Sequence, residues 1–183
     1  AEDTRRTGNL LRHYQIETPI LSVHEHNELA RVARLVDRLA AGDSIALVTD
    51  AGTPGVSDPG ATLVAAVRAA GFRVEPIPGP SAVVAAISAA GIKSEGFCFH
   101  GFPPIRAKNR KQWFQALVEA SRHRAVVFFE APHRVQKTLE ELGNLVMRPI
   151  MVARELTKVH EEIVFGTPVE LLARFSAPQG EFT

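Results

Sequence analysis

The sequence predicts an α/β protein. Three observations carry that reading: short β-branched runs alternate with stretches of helical periodicity, the helical stretches end on glycine, and the loop richest in glycine and proline follows directly on an apolar run. Taken in order, Leu29, Val32, Leu35, Val36 and Leu39 recur at helical spacing and predict a helix over 27–41, stopped by Gly42. The run 44–49 reads as a buried strand, apolar on both faces rather than alternating, and 52–60 as a turn-rich loop. Residues 61–70 are Ala/Val-rich and helical up to Gly71, 72–77 return as a strand, and Ser81 is placed to cap a helix ending at Gly91. Beyond Gly96, 97–102 reads as a strand, Pro103-Pro104 opens a basic loop, and a helix covers about 111–120. The remaining runs predict a strand over 125–130, a helix over 133–146, strands over 150–156 and 162–165, and a helix over 168–175 with proline in its first turn. The stretch 91–96 is the natural linker, which divides the chain into domains 1–92 and 96–183.

Composition fits this picture. The 183 residues are 45% hydrophobic and 22% charged, ordinary values for a folded protein. With 21 Lys+Arg against 20 Asp+Glu the formal charge is +1, so any anionic partner must be held by a local patch. The longest uncharged apolar run, 82–92, is too short to span a bilayer, and no membrane partner is expected. A single cysteine, Cys98, excludes an internal disulfide and a cysteine-based zinc site, which fits a reducing cytoplasm. The chain opens Ala1-Glu2-Asp3 without an initiator Met and stops on the strand-like Gly180-Glu181-Phe182-Thr183, and so reads as a fragment.

The most informative stretch is Thr49-Asp50-Ala51-Gly52-Thr53-Pro54-Gly55-Val56-Ser57-Asp58-Pro59-Gly60. In open α/β sheets ligands collect at the carboxyl ends of strands, and small residues there let a ligand lie against the backbone. The alternative is a plain strand-to-helix connection with Asp58 or Ser57 as the cap. No Gly-Lys-Ser/Thr follows and no G-x-G-x-x-G opens a helix, so the usual triphosphate and dinucleotide signatures are missing.

That stretch, with Pro78-Gly-Pro-Ser-Ala82, Phe129-Glu-Ala-Pro-His-Arg134 and Ala153-Arg-Glu-Leu-Thr-Lys158, resembles the ribosomal RNA small subunit methyltransferase I family of the tetrapyrrole methylase superfamily. Further matches are Ala1-Glu-Asp-Thr-Arg5, His24-Glu-His-Asn-Glu28 and Gly101-Phe-Pro-Pro104, and the blocks run through the chain in order. The resemblance implies two α/β domains, both incomplete here, with a cleft between them for S-adenosyl-L-methionine. It also implies a homodimer, and 2′-O-methylation of a cytidine ribose in small-subunit (16S) ribosomal RNA, as the 30S subunit or its precursor. The cofactor contacts it implies fall on Asp50, Ala51, Gly52, Thr53, Val56, Ser81, Ala82, Phe129 and Ala153. It further implies a first strand and glycine loop before Ala1 and a remainder of the second domain after Thr183. Two rivals stay open: a tetrapyrrole methylase acting on a small polycarboxylate, and an RNA-binding or dimerisation fragment without catalysis.

Charge is unevenly spread. From 100 to 134 seven cations (Arg106, Lys108, Arg110, Lys111, Arg122, Arg124, Arg134) face two anions (Glu119, Glu130), a local +5, so the remainder carries −4. Arg106, Lys108, Arg110, Lys111 and Arg134, with Arg5 and Arg6, are the RNA-binding candidates, and Trp113 and Phe114 either stack on bases or pack the helix. For the base that removes the hydroxyl proton the candidates are Asp3, Glu130, His133, Glu155 and Lys158, each of which can equally be a cap or an ion-pair partner. Glu130 and Arg134, spaced i, i+4, can form a simple salt bridge. His24 and His26 lack a completing ligand set, so no metal is expected and the segment reads as a polar turn with Asn27 as cap.

Overall fold

The computed structural model describes residues 1–183 and divides into two compact units, Ala1–Ser81 and Ala82–Thr183. The division falls ahead of the helix that the sequence places before the 91–96 linker, and this helix groups with the second unit.

The first unit holds α1 (Thr4–His13), α2 (Glu28–Ala40) and α3 (Ala61–Ala69). Helix α1 is too polar to show an apolar stripe and buries no residue, which hid it from the periodicity argument; Asp3 starts it by accepting from Arg5 N at 2.8 Å. Helix α2 lies where its periodicity put it, but Leu29 is 79% exposed and Glu28 is buried in its place. Positions 28, 32, 35 and 39 define the centre of the buried stripe, and Leu29 falls at its edge. The Glu28 carboxylate accepts from Leu63 N at 2.8 Å in the first turn of α3, whose cap residue is Gly60 rather than Asp58 or Ser57. A side chain of α2 therefore satisfies an orphan donor of α3. Val23, Leu35, Leu63 and Val67 form the core, with Ile45, Leu47 and Phe72 packed on it.

The predicted strands 44–49 and 72–77 carry no ladder. Ala1 pairs with the 21–23 segment, Ala1 N to Leu21 O and Val23 N to Ala1 O, and Glu2 N donates to Val48 O in the 44–49 run. One face of the 44–49 run, through Ile45 and Leu47, meets the core, so it is covered on one side and not on two.

The second unit holds α4 (Ala82–Ala90), β1 (Phe97–Phe99), α5 (Ala107–Ala120), β2 (Ala125–Val127), a 3₁₀ turn (Pro132–Arg134), α6 (Val135–Gly143), β3 (Ile150–Arg154), β4 (Glu162–Gly166) and α7 (Pro168–Arg174). Strands β1 and β2 pair in parallel, Phe97 opposite Ala125, with α5 as the crossover a parallel pair requires. Strands β3 and β4 are antiparallel, Ile150 opposite Gly166. Phe182 bridges both Glu130 and Arg154, so the 181–183 segment lies between the extension of β2 and β3. Helix α7 opens with a full capping box between Thr167 and Glu170, followed by Pro168 at its first position. Helix α5 begins earlier than predicted because its first turn is polar, and α6 ends earlier, at Gly143.

Candidate functional site

In the first unit the loop after the 44–49 run is tied down from beneath. Thr49 Oγ1 lies 2.7 Å from Glu2 Oε2 and 2.8 Å from Asp58 Oδ2, and Asp50 N donates to Glu2 Oε2 at 3.2 Å. Asp50 Oδ1 in turn accepts from Asp3 N at 3.1 Å, which joins the loop to the start of α1. Val56 N closes back on Thr53 O and Gly55 N on Pro59 O. Gly52, Gly55, Ser57 and Gly60 all take positive φ, so the loop is a succession of left-handed bends that larger residues would resist. The result is an exposed backbone apex at Ala51, Gly52 and Thr53 on a fixed base, and a Cβ added at Gly52 would meet nothing within 4 Å. A ligand can approach that backbone closely. Val56 is exposed beside it, and Ser81 immediately precedes α4, whose first residue is Ala82.

In the second unit Phe129 lies two residues beyond β2, half-buried, its ring 4.8 Å from that of Phe99 and 5.5 Å from that of Phe102. Ala153 lies on β3, buried, with both its backbone groups paired with Thr183 at 2.8 Å.

The base candidates separate by environment. Asp3 is held at a pKa of about 2, chiefly by its side-chain hydrogen bond with Arg5, and a carboxylate so far below neutrality is a poor proton acceptor. Glu130 is buried and fully engaged: Arg134 Nε stands 3.1 Å away, Thr138 Oγ1 donates at 2.5 Å, Ala131 N donates at 2.9 Å and Arg110 lies at 3.5 Å. His133 is exposed and its side chain makes no hydrogen bond within the chain. Glu155 accepts from Lys158 Nζ and from Glu181 N, both at 2.8 Å, in a turn where Glu155 and Thr157 take positive φ.

The Glu155–Lys158 bond pulls Glu155 below its ordinary 4.5 and pushes Lys158 above its ordinary 10.5. A lowered carboxylate contributes stability present above 4.5 and lost as pH falls through its folded value; a raised ammonium contributes stability present below 10.5 and lost as pH rises through its own. The turn is thus expected to stay closed between those limits and to loosen outside them. In an amide-resolved NMR titration the Glu181 N–H signal should shift with a midpoint below 4.5, and a midpoint at or above it would show that the pair does not form.

Of the RNA-binding candidates, Arg106, Lys108 and Lys111 are exposed. Arg5 is 89% exposed although paired with Asp3, and Arg6 lies 3.7 Å from Asp50. Arg110 is a correction. It is 2% exposed, bound to Glu141 at 2.6 Å and to Thr138, with Phe114 5.0 Å beneath its guanidinium. Arg134 is likewise committed inward, to Glu130 and to Pro103 O, which realises the i, i+4 salt bridge. Phe114 is buried and Trp113 packs edge-on against Phe114 and Phe128, so the pair fills the core. His24 Nε2 faces Asn27 Nδ2 at 2.9 Å, and Asn27 Oδ1 accepts from His24 N rather than capping α2. No helix is long and apolar enough to cross a membrane.

Residues 2–172 of this α/β chain match the family model of the Tetrapyrrole (Corrin/Porphyrin) Methylases. The chain belongs to that family. The methyltransferase CobJ shares its fold at a TM-score of 0.66 and 23% identity, over 92% of this chain and 77% of that one. The uroporphyrin-III C-methyltransferase of Thermus thermophilus, solved with S-adenyl homocysteine, aligns at 0.54 and 18%, over 81% and 68%. Its sequence relatives narrow the branch to proteins named ribosomal RNA small subunit methyltransferase I. That of Synechocystis sp. is 47% identical over the whole of this chain and 66% of its own length. That of Escherichia coli O157:H7 is 46% identical over 94% and 60%, and that of Pseudomonas aeruginosa 41% over 99% and 71%. The chain thus spans between 60% and 71% of the length of these three relatives.

Proposed function

We propose that the whole protein transfers a methyl group from S-adenosyl-L-methionine to the 2′-oxygen of a cytidine ribose in small-subunit ribosomal RNA. The observation that carries this reading is identity of 41–47% to proteins of that name along essentially the whole chain. The cofactor suits the residues present: the exposed apex at Ala51, Gly52 and Thr53 leaves space where a side chain would otherwise stand. Asp50, Val56, Ser81, Ala82 and Phe129 are the further contacts we assign to it. When bound, it supplies an electrophilic methyl group on a cationic sulfonium.

The chain's own task is then to orient the ribose hydroxyl and take its proton. Asp3 and Glu130 are unsuited to accept it, and of the remaining candidates the exposed His133 is the one left uncommitted. The resemblance also supports a homodimer in the cytoplasm, and exposed Ile163 and Phe165, two residues apart on one face of β4, give an apolar strand face that a second copy would cover.

Labelled methyl transfer tests the reading. Label should enter small-subunit RNA and not a precursor tetrapyrrole; label in the tetrapyrrole alone would favour the second reading, for which the CobJ-like fold speaks. Thr53→Arg should abolish binding of S-adenosylhomocysteine by calorimetry and leave the circular dichroism spectrum intact. Unchanged affinity would move the cofactor off this loop.

A further inference from the structure

We propose that the 101–111 segment of the second unit is a platform for an unpaired nucleotide, with Phe102 and Ile105 against the base and Arg106, Lys108 and Lys111 on the flanking phosphates. The inference rests on the RNA reading above and adds the class of RNA: single-stranded rather than duplex.

The base of this segment is rigid and its tip is bare. Gly101 turns the chain out of β1 at φ +62°, and its carbonyl accepts from Phe129 N at 2.8 Å. Pro103 is fully buried, and its carbonyl accepts from the Arg134 guanidinium, itself paired with Glu130. Between and beyond these anchors Phe102 is 47% exposed and Ile105 84% exposed. Neither is needed by the core, and a loop held from below loses little freedom when it binds.

Direction comes from the neighbours. The Phe102 ring leans on Phe129, their centroids 5.5 Å apart, so its inner edge is packed and its exposed part is left to a base. Arg106 precedes α5, and Lys108 and Lys111, three residues apart, share one of its faces. None of the three is ion-paired, whereas Arg122 is tied to Glu119 at 2.9 Å and Arg5 to Asp3 at 2.8 Å. Free cations beside an exposed ring suit a single strand, whose bases present open faces; a duplex hides those faces and is read by its backbone.

The test uses the whole protein with S-adenosylhomocysteine bound, and fluorescence anisotropy with a short cytidine-containing RNA strand and the same strand in a duplex. The single strand should bind more tightly. Phe102→Ala should weaken single-strand binding about ten-fold or more, Phe102→Trp should retain it, and both should keep duplex binding and cofactor affinity. Lys108→Ala with Lys111→Ala should lower the slope of log K against log salt by about 1.4, at about 0.7 per phosphate contact. Equal binding of strand and duplex, or unchanged single-strand binding by Phe102→Ala, would overturn the proposal. So would a loss of dimer mass in Phe102→Ala with RNA binding intact, which would assign the ring to a second copy. If the wild type methylates RNA while Phe102→Ala binds it normally, this inference fails alone; if no RNA is methylated, the reading beneath it fails.

Discussion

Arg110→Met is expected to lower the unfolding free energy of the second unit by about 3–5 kcal/mol, the cost of breaking a buried ion pair by removing one partner. The guanidinium spans two carboxylates, Glu141 at 2.6 Å and Glu130 at 3.5 Å, and reaches the Thr138 hydroxyl, which itself donates to Glu130. Its removal leaves Glu130 buried with Arg134 as its one remaining cation, while Glu141, partly exposed, regains water. The lower end of the range is therefore the better expectation. Urea denaturation, with amide exchange in α5 and α6, reads the effect. A double-mutant cycle with Glu130→Gln should show a loss smaller than the two single losses added, because both act on one network. A change under about 1 kcal/mol would mean that water already reaches the pair.

Gly60→Ala should be the most damaging small substitution in the first unit, at about 1–3 kcal/mol for the backbone conformation alone. Gly60 stands at φ +133°, outside even the left-handed helical region, and an added Cβ would lie 2.8 Å from Leu47 Cδ2 and 3.4 Å from Gly55 N. The strain would move the loop that carries Ala51, Gly52 and Thr53, so affinity for S-adenosylhomocysteine should fall along with stability. Gly52→Ala is the comparison. It also has positive φ, but open space around it, so it should cost about 1–2 kcal/mol. A cost no larger than that of Gly52→Ala would show that Leu47 gives way freely, and no cost at all would show that the backbone carries no strain there.

Both predictions rest on features a reader of the sequence sees in part. Gly60 is visible as one of several glycines after an apolar run, but its special need for glycine comes from its φ of +133° together with Leu47, thirteen residues earlier, whose side chain lies where a Cβ would stand. Arg110 sits in a run with Arg106, Lys108 and Lys111, and charge patterning gives all four one role. Helical geometry separates them. One of the four faces inward and meets the carboxylates of Glu130 and Glu141, twenty and thirty-one residues away. Glu28 was hidden for the same reason, since its partner, Leu63 N, is thirty-five residues distant. The pairing of Ala153 with the 181–183 segment was hidden too, because the identity of a strand's neighbour is not written in the strand.

The sequence by itself determined the alternation of elements, the helix stops at Gly42, Gly71 and Gly91, the loop of small residues from Thr49 to Gly60 and the likeness that pointed to the family. Each of these is local: propensity, periodicity and turn chemistry act over a few residues and leave their mark in the order of the chain. Tertiary structure alone decided which charges are inside and which are offered to a partner, and which extended runs gain a ladder. Desolvation makes that choice. A buried guanidinium must find carboxylates wherever the fold brings them, and an exposed one need not.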